Sequence, residues 1–197
     1  MSIKRSDLII IGAGPGGYET AAAAARQGLK VTLIEKSDLG GTCLNRGCIP
    51  TKALCASASR ILALQDAAAF GVEVPQWKAD FAAAAARMRQ VVSGLREGVA
   101  MELSKVEIVS GTARLASTGP SVWVGEDRYM ADRLIIATGS VPSLLPVPGA
   151  HLAMTSDTLL ALDTLPPSIA VIGGGVIGME FASILAAFGV EVTVLEF

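Results

Sequence analysis

Two cysteines and a lysine stand close together in the first quarter of this chain. Cys43 and Cys48 are separated by four residues, and Lys52 follows the second cysteine by about one helical turn. Glycines crowd the entry to this stretch, and Pro50 is a residue that the first turn of a helix tolerates. Such a loop can bring two sulfurs within disulfide distance, and a helix amino terminus favours a thiolate. The stretch predicts a redox-active dithiol, with metal binding still open at this point.

Composition narrows the class of protein. The chain has 197 residues, a formal net charge of -2 and 17% charged residues, so it offers no sign of a nucleic-acid surface. A membrane span needs about 18 consecutive apolar residues, and glycines or charged residues interrupt every apolar run before it reaches that length. Three cysteines in a chain of this length are not a structural disulfide framework. We expect a cytoplasmic protein without a membrane or nucleic-acid partner.

A glycine-rich turn follows the first apolar run. Asp7 to Ile11 is typical of a buried parallel strand, and it leads into Gly12-x-Gly14-x-x-Gly17. A helix is predicted over Tyr18 to Gln27, and Val31 to Glu35 is a second strand that ends in an acid. Strand, glycine turn, helix, strand and acid in this order predict a dinucleotide site, in which the helix amino terminus faces the pyrophosphate.

The same pattern occurs again near residue 170. Ile169 to Ile172 is a predicted strand, Gly173-x-Gly175-x-x-Gly178 the turn, and Met179 to Phe188 the helix. Val192 to Glu196 is then the second strand, and in both units the acid lies eighteen residues after the third glycine. Two such units in one chain predict two dinucleotide sites.

The middle of the chain separates the two units. It reads as two helical segments, three short strands of a small antiparallel layer, a further buried strand and a proline-rich connection. In order these are Thr51 to Ala69, Ala79 to Leu103, Val106 to Leu115, Ser121 to Gly125, Tyr129 to Ala131, Arg133 to Ala137, and Val141 to Gly149.

With both fingerprints and the cysteine loop in view, the chain resembles the flavin-dependent pyridine nucleotide-disulfide oxidoreductases. Among them it is most similar to the dihydrolipoamide dehydrogenases, through Gly-Gly-Thr-Cys-Leu-Asn-Arg-Gly-Cys-Ile-Pro-Thr-Lys at residues 40–52. Arg46 stands where many of these proteins have valine. The resemblance covers the whole chain but corresponds only to the amino-terminal part of a complete member.

By this resemblance the first unit binds FAD. The glycines of its turn would hold the pyrophosphate, Glu35 the adenosine ribose, and the segment Gly111-Thr112-Ala113 the adenine. The residues implied in FAD binding are Gly12, Gly14, Pro15, Gly16, Gly17, Glu35, Lys36, Gly41, Thr42, Lys52, Thr112, Ala113, Ala137, Thr138 and Gly139.

The resemblance also implies that the second unit binds NAD(H). A carboxylate at the end of its second strand would repel a 2′-phosphate, so Glu196 favours NAD over NADP. The implied contacts are Gly173, Gly175, Val176, Ile177, Gly178, Glu180 and Glu196.

Four residues carry the implied chemistry. Cys48 would be the sulfur next to the flavin, forming a charge-transfer thiolate when the pair is reduced, and Cys43 the thiol that exchanges with the substrate. Lys52 would lie beside flavin N5, paired with Glu180 from the NAD unit. With a flavin in place, redox work by the cysteines outweighs metal binding, and no metal site is predicted.

Members of this family complete proton transfer with a histidine–glutamate pair near the carboxyl terminus, across a homodimer interface. His151, the single histidine, matches no such position, so we expect it in an exposed loop. We therefore expect a fragment that does not sustain lipoamide turnover alone. Its partners would be dihydrolipoamide on the carrier protein of a 2-oxo acid dehydrogenase or glycine cleavage complex, and a second copy in the full-length protein.

The predicted architecture is α/β. A three-layer Rossmann-like FAD domain with a small antiparallel β layer would occupy residues 1–147, and the start of a second Rossmann-like domain residues 148–197. Two alternatives stay open: a mercuric or glutathione-type reductase, and a flavin-binding fragment without turnover.

Overall fold

The computed structural model describes residues 3–196, which form two compact units. The first unit comprises residues 3–45 and 93–141, and the second comprises residues 46–92 and 142–196. Each unit is therefore built from two separate stretches of the chain. The division into residues 1–147 and 148–197 stays a prediction.

The first unit is organised around one mixed sheet. Its strands and helices are β1 (Ile3–Ile11), α1 (Pro15–Arg26), β2 (Val31–Glu35), α2 (Gly41–Arg46) as far as Asn45, the second half of α4 (Phe81–Glu102), β3 (Glu107–Ser110), β4 (Ala113–Leu115), β5 (Ser121–Val124) and β6 (Asp127–Ile136). The strand order is β3-β2-β1-β6-β5-β4. The strands β3, β2, β1 and β6 run parallel, whereas β4, β5 and β6 are joined antiparallel.

The centre of this sheet is its most buried part. Ile9 and Ile10 of β1 and Leu33 of β2 have no exposed surface, and Ile34 is almost as buried. Each such side chain contributes roughly 1.5–3 kcal/mol through burial. Continuous apolar runs are typical of parallel strands covered on both faces, so the prediction of a buried first strand is confirmed.

The structure corrects the expected strands between residues 106 and 137. Val106–Leu115 is two strands rather than one, and β3 pairs parallel with β2 instead of joining an antiparallel layer. The segments Tyr129–Ala131 and Arg133–Ala137 are one strand, β6, which is parallel to β1 throughout. The antiparallel strands thus extend the parallel sheet.

The expected burial of Arg133–Ala137 is wrong. The side chain of Arg133 is exposed, and Ile136 is 60% exposed. The reason is the length of β5, which pairs with β6 only as far as Met130. Beyond that residue β6 has β1 on one side and no further strand of the described residues on the other.

The second unit contains most of the helical residues. Its elements are α3 (Cys48–Gln65), a 3-10 turn (Ala67–Phe70), the first half of α4 (Phe81–Glu102), a second 3-10 turn (Ala150–Leu152), α5 (Ser156–Leu159), β7 (Ser168–Ile172), α6 (Val176–Ala187) and β8 (Glu191–Leu195). Helices α3 and α6 pack together, and β7 pairs parallel with β8. The ring of Phe81 meets that of Phe188 edge-on, with the centroids 5.3 Å apart.

The predicted helices begin and end close to their predicted bounds. Helix α4 continues through Gly94 and Gly98 without interruption. Helix α2, inside the cysteine loop, was not predicted. In the described part of the chain, no helix combines the length and apolarity needed to cross a membrane.

Candidate active site

The first glycine turn has the geometry that the sequence predicts. Gly12 has φ +101°, and a Cβ there would lie 2.2 Å from the Ala137 carbonyl oxygen. A Cβ on Gly17 would lie 1.8 Å from the Gly12 carbonyl oxygen. Both positions therefore require glycine, because any side chain would separate the strand from the helix that follows.

The middle of the same turn is open. A Cβ on Gly14 would meet only the Gly41 Cα at 3.9 Å, and one on Gly16 would meet nothing within 4 Å. Gly14 is the N-cap of α1 and makes no side-chain cap, so backbone N–H groups at this end are available to an external acceptor. This accessible backbone at a helix amino terminus fits a pyrophosphate.

Glu35 folds back onto this turn. Its Oε2 accepts a hydrogen bond from the Ala13 N–H at 2.7 Å, and its Oε1 accepts one from the Ser37 N–H at 2.8 Å. The acid at the end of β2 therefore lies beside the glycine turn, and each oxygen keeps a second lone pair. The arrangement fits a ribose whose hydroxyls donate to the carboxylate.

Several of the other predicted FAD residues surround the same turn. The Ala137 N–H donates to the Ile11 carbonyl at 2.8 Å, and the Gly111 N–H donates to the Glu35 carbonyl at 2.9 Å. The segments carrying Thr138 and Thr112 are thereby brought to the carboxyl ends of β1 and β2, which is where α/β sheets bind ligands. The FAD-binding roles of all these residues stay predictions, as do those of Pro15, Lys36, Gly41, Thr42, Lys52, Ala113 and Gly139.

The second glycine turn repeats the first. Gly173 has φ +104°, and a Cβ on Gly178 would lie 2.1 Å from the Gly173 carbonyl oxygen. Glu196 accepts a hydrogen bond from the Gly174 N–H, as Glu35 does from Ala13. Gly175 is the N-cap of α6, and Val176 and Ile177 are exposed in its first turn. The geometry fits a second dinucleotide, so the internal repeat extends to its hydrogen bonds.

An ion pair joins α3 to α6. The Lys52 Nζ lies 3.8 Å from the Glu180 Oε1, with the lysine side chain 68% exposed. These are the two residues that the resemblance pairs, and their role beside a flavin stays a prediction. At this exposure the pair contributes little to stability, at most about 1 kcal/mol.

The three cysteines differ in surroundings. Cys43 lies in α2 and is half-buried, whereas Cys48 is the first residue of α3 and is exposed. Cys55 is half-buried, and burial raises the pKa of its thiol, with a smaller contribution from the Glu180 carboxylate. The disulfide between Cys43 and Cys48 stays a prediction.

Sequence reasoning missed two residues around the cysteine loop. Asn45 of α2 accepts two hydrogen bonds from Arg96 of α4 and donates two to backbone carbonyls of residues 39 and 41. The position of Asn45 between the cysteines is a signal, but no pattern in the sequence indicates Arg96. Within residues 3–196 no three His, Cys, Asp or Glu side chains are grouped as a metal site would require, and His151 is exposed.

Comparison with known proteins agrees with this geometry. The chain is 43% identical over 195 residues to the dihydrolipoyl dehydrogenase of Chlamydia pneumoniae, covering 96% of this chain and 42% of that protein. It is 42% identical over 210 residues to a dihydrolipoyl dehydrogenase of Bacillus subtilis, covering 97% of this chain and 44% of that protein. The chain thus spans less than half the length of these curated relatives.

The chain is also similar to a solved structure of a flavoprotein disulfide reductase. The HOCl-induced flavoprotein disulfide reductase RclA from Escherichia coli matches with a TM-score of 0.82 and 34% sequence identity, over 96% of this chain and 42% of that one. The fold class is confirmed.

The family model for "Pyridine nucleotide-disulphide oxidoreductase" matches residues 6–197. Membership of this family implies the cofactors FAD and NAD(H), and the geometry of the two glycine turns fits two dinucleotides. On the site geometry and these matches together, the chain belongs to the pyridine nucleotide-disulphide oxidoreductase family.

Proposed function

We propose that this chain is the FAD- and NAD-binding, dithiol-bearing part of a dihydrolipoamide dehydrogenase. The overall reaction is dihydrolipoamide + NAD⁺ → lipoamide + NADH + H⁺. One observation carries the proposal. The chain has two glycine turns, and in each a carboxylate accepts a hydrogen bond from the backbone N–H of the residue after the first glycine. A pair of cysteines follows the first of these two turns in the sequence. Because the chain spans less than half of its relatives, the turnover is proposed for the whole protein.

The first unit supplies the flavin site. The open backbone at Gly14 and Gly16 binds the pyrophosphate, and Glu35 accepts hydrogen bonds from the ribose. FAD, when bound, supplies two-electron transfer between a pyridine nucleotide and a dithiol. The role of this unit is to bind and orient it.

The second unit supplies the nicotinamide nucleotide site. The turn Gly173 to Gly178 binds the pyrophosphate at the amino terminus of α6. Glu196, held by the Gly174 N–H, presents a carboxylate where NADP would carry a phosphate, so the site selects NAD. Lys52 keeps a cation near the flavin, paired with Glu180.

The cysteines connect these sites to the substrate. In the oxidised protein Cys43 and Cys48 form a disulfide. A thiolate of dihydrolipoamide attacks the Cys43 sulfur, and Cys48 leaves as a thiolate. The second substrate thiol then attacks the sulfur bound to Cys43, which releases lipoamide and leaves two cysteine sulfurs reduced.

The partners follow from the substrate. We propose that dihydrolipoamide arrives on the carrier protein of a 2-oxo acid dehydrogenase or glycine cleavage complex, and that the whole protein is a cytoplasmic homodimer. The FAD domain at residues 1–147 and the NAD domain from residue 148 remain part of this proposal.

Titration with FAD followed by two-electron reduction tests the proposal. We expect stoichiometric FAD binding and a long-wavelength absorption band on reduction with dithionite, which Cys48→Ser removes. Cys55→Ser is the matched control and leaves the band unchanged, because Cys55 is outside the proposed pair. FAD binding without the band would instead support a flavin-binding protein without dithiol chemistry.

A second candidate is a flavoprotein disulfide reductase with another substrate, such as a mercuric or glutathione-type reductase. The match to RclA favours keeping this candidate, as does Arg46, which adds a cation between the cysteines. In the whole protein, the substrate that reoxidises the NADH-reduced dithiol distinguishes the two: rapid reoxidation by lipoamide supports the first, and by glutathione disulfide or Hg²⁺ the second.

A further inference from the structure

Every hydrogen-bonding position of the Asn45 side-chain amide is used. Its Nδ2 donates to the carbonyls of Leu39 and Gly41, each at 2.9 Å. Its Oδ1 accepts from the Arg96 Nε at 3.0 Å and Nη2 at 2.7 Å. Because a guanidinium can only donate, the amide oxygen must face Arg96, so the orientation of the amide is fixed by its neighbours.

The turn that Asn45 holds lies against the first glycine turn. The Gly40 N–H donates to the Ala13 carbonyl at 2.8 Å, and a Cβ on Gly41 would lie 2.6 Å from the Gly14 Cα. Gly40 and Gly41 have φ values of +94° and +58°, a conformation that other residues rarely adopt. The contact between the two turns is therefore backbone against backbone.

An unbroken series of hydrogen bonds results. It runs from Arg96 through Asn45 to the turn at residues 39–41, and from Gly40 to Ala13, whose N–H is bonded to Glu35. Asp38 holds the other end of the guanidinium, with Oδ1 3.3 Å from Nη1. Helix α2, which carries Cys43, is thereby connected to the proposed FAD site.

We propose that Asn45 and Arg96 are positioning residues that hold α2 and the turn at residues 39–41 against the glycine turn. This inference rests on the proposed function. Helix α2 has only six residues and buries a single side chain, Leu44, so it cannot keep its position by its own propensity or packing. The planar fork of Arg96 on one amide oxygen supplies the missing constraint.

Two substitutions separate positioning from simple stabilisation. Asn45→Asp keeps, and by its charge strengthens, the contact with Arg96, but it replaces both donors with acceptors that face the carbonyls of Leu39 and Gly41. Arg96→Lys keeps the charge near Asp38 but loses the two-pronged contact with Asn45. Arg26→Lys, at the exposed last turn of α1, is the matched control.

The experiment measures FAD affinity and the dithiol–disulfide midpoint potential of the FAD-loaded protein, with thermal unfolding alongside. For both site variants we expect a three- to tenfold rise in the FAD dissociation constant. We also expect a three- to tenfold fall in the equilibrium constant for disulfide formation, a rise in potential of about 15–30 mV. Thermal unfolding of both site variants is compared with that of Arg26→Lys, and a shift in potential in a site variant whose unfolding temperature matches this control is a result that a merely structural role would not give.

The outcomes are distinguishable. If the wild type binds FAD and forms the disulfide while Asn45→Asp and Arg96→Lys match Arg26→Lys in both readouts, the positioning role is wrong and the proposed function stands. A wild type that binds no FAD overturns both. If Asn45→Asp fails to fold, the Arg96→Lys potential decides, since this variant keeps the cation.

Discussion

Glu35 shows how a single carboxylate serves both the fold and the proposed site. It ends β2 and accepts two backbone hydrogen bonds, one of them from inside the glycine turn. A sequence pattern predicts the acid and its distance from the glycines. It does not predict that the acid stabilises the turn before any ribose arrives.

We expect Glu35→Gln to weaken FAD binding about tenfold. A glutamine oxygen can accept from only one side, so its NH₂ group must face either the Ala13 or the Ser37 N–H. The loss of a hydrogen bond to a charged group, about 1.5–3 kcal/mol, corresponds to a tenfold or greater rise in the dissociation constant. Fluorescence titration with FAD measures it, and Glu126→Gln in the exposed β5–β6 turn is the control. Equal affinities for both variants would contradict the role of Glu35.

Cys55 gives a prediction about pH. Burial and then the Glu180 carboxylate raise the pKa of its thiol above the ordinary value of a cysteine. At a given pH below that value the thiolate fraction is smaller than in an unperturbed cysteine, so alkylation is slower. Removing the carboxylate charge by Glu180→Gln lowers the pKa and raises the thiolate fraction.

Iodoacetamide labelling of the reduced protein, read by mass spectrometry between pH 7 and pH 9.5, checks this expectation. Cys55 should be labelled more slowly than the exposed Cys48 in the wild type, and faster in Glu180→Gln than in the wild type. The control is Glu19→Gln in α1. An unchanged Cys55 profile in Glu180→Gln would show that the carboxylate has no influence on the thiol.

At the scale of elements, what could be predicted depended on periodicity and on glycine. Continuous apolar runs predicted β1 and β2, and the glycine spacing predicted both turns and the helices after them. Those patterns are local, because the residues that form each of them lie within about thirty positions of one another in the chain.

Other features were decided by distant contacts. Helix α2 was missed because its six residues include a glycine, a threonine, a cysteine and an asparagine, which give no helical pattern. Strand β3 was assigned to the antiparallel layer because its pairing with β2, over seventy residues away in sequence, leaves no local trace. Arg96 was missed for the same reason: it meets Asn45 from 51 positions away.

Replacing a glycine by alanine should change the free energy of unfolding in opposite directions at Gly17 and at Gly94. Gly17→Ala puts a methyl group 1.8 Å from the Gly12 carbonyl oxygen, so we expect a loss of roughly 1–3 kcal/mol in the free energy of unfolding. Gly94→Ala, inside α4 with nothing within 4 Å, should raise it by about 0.5–1 kcal/mol. Urea unfolding followed by circular dichroism measures both. A stable Gly17→Ala protein would mean that the close approach of strand and helix is not required.

At the scale of the whole molecule, the chain contains the same arrangement twice, in two compact units. In each, an acid bonds to the N–H after the first glycine, and the third glycine packs on the carbonyl of the first. The equal acid-to-glycine spacing in the two units is what one binding mode, used for both proposed dinucleotides, would require. The units should therefore respond separately to their ligands.

Hydrogen exchange can show this separation. A ligand that binds only the folded unit, at 100 times its dissociation constant, stabilises that unit by about 2.7 kcal/mol, which slows exchange through unfolding of the unit about 100-fold. FAD should slow exchange in β1 and β2, and NADH in β7 and α6. Glu35→Gln, at the same FAD concentration, should reduce the first effect and leave the second unchanged. Protection of β7 and α6 by FAD, with none in β1, would show that FAD binds the second glycine turn and not the first, and would contradict this assignment.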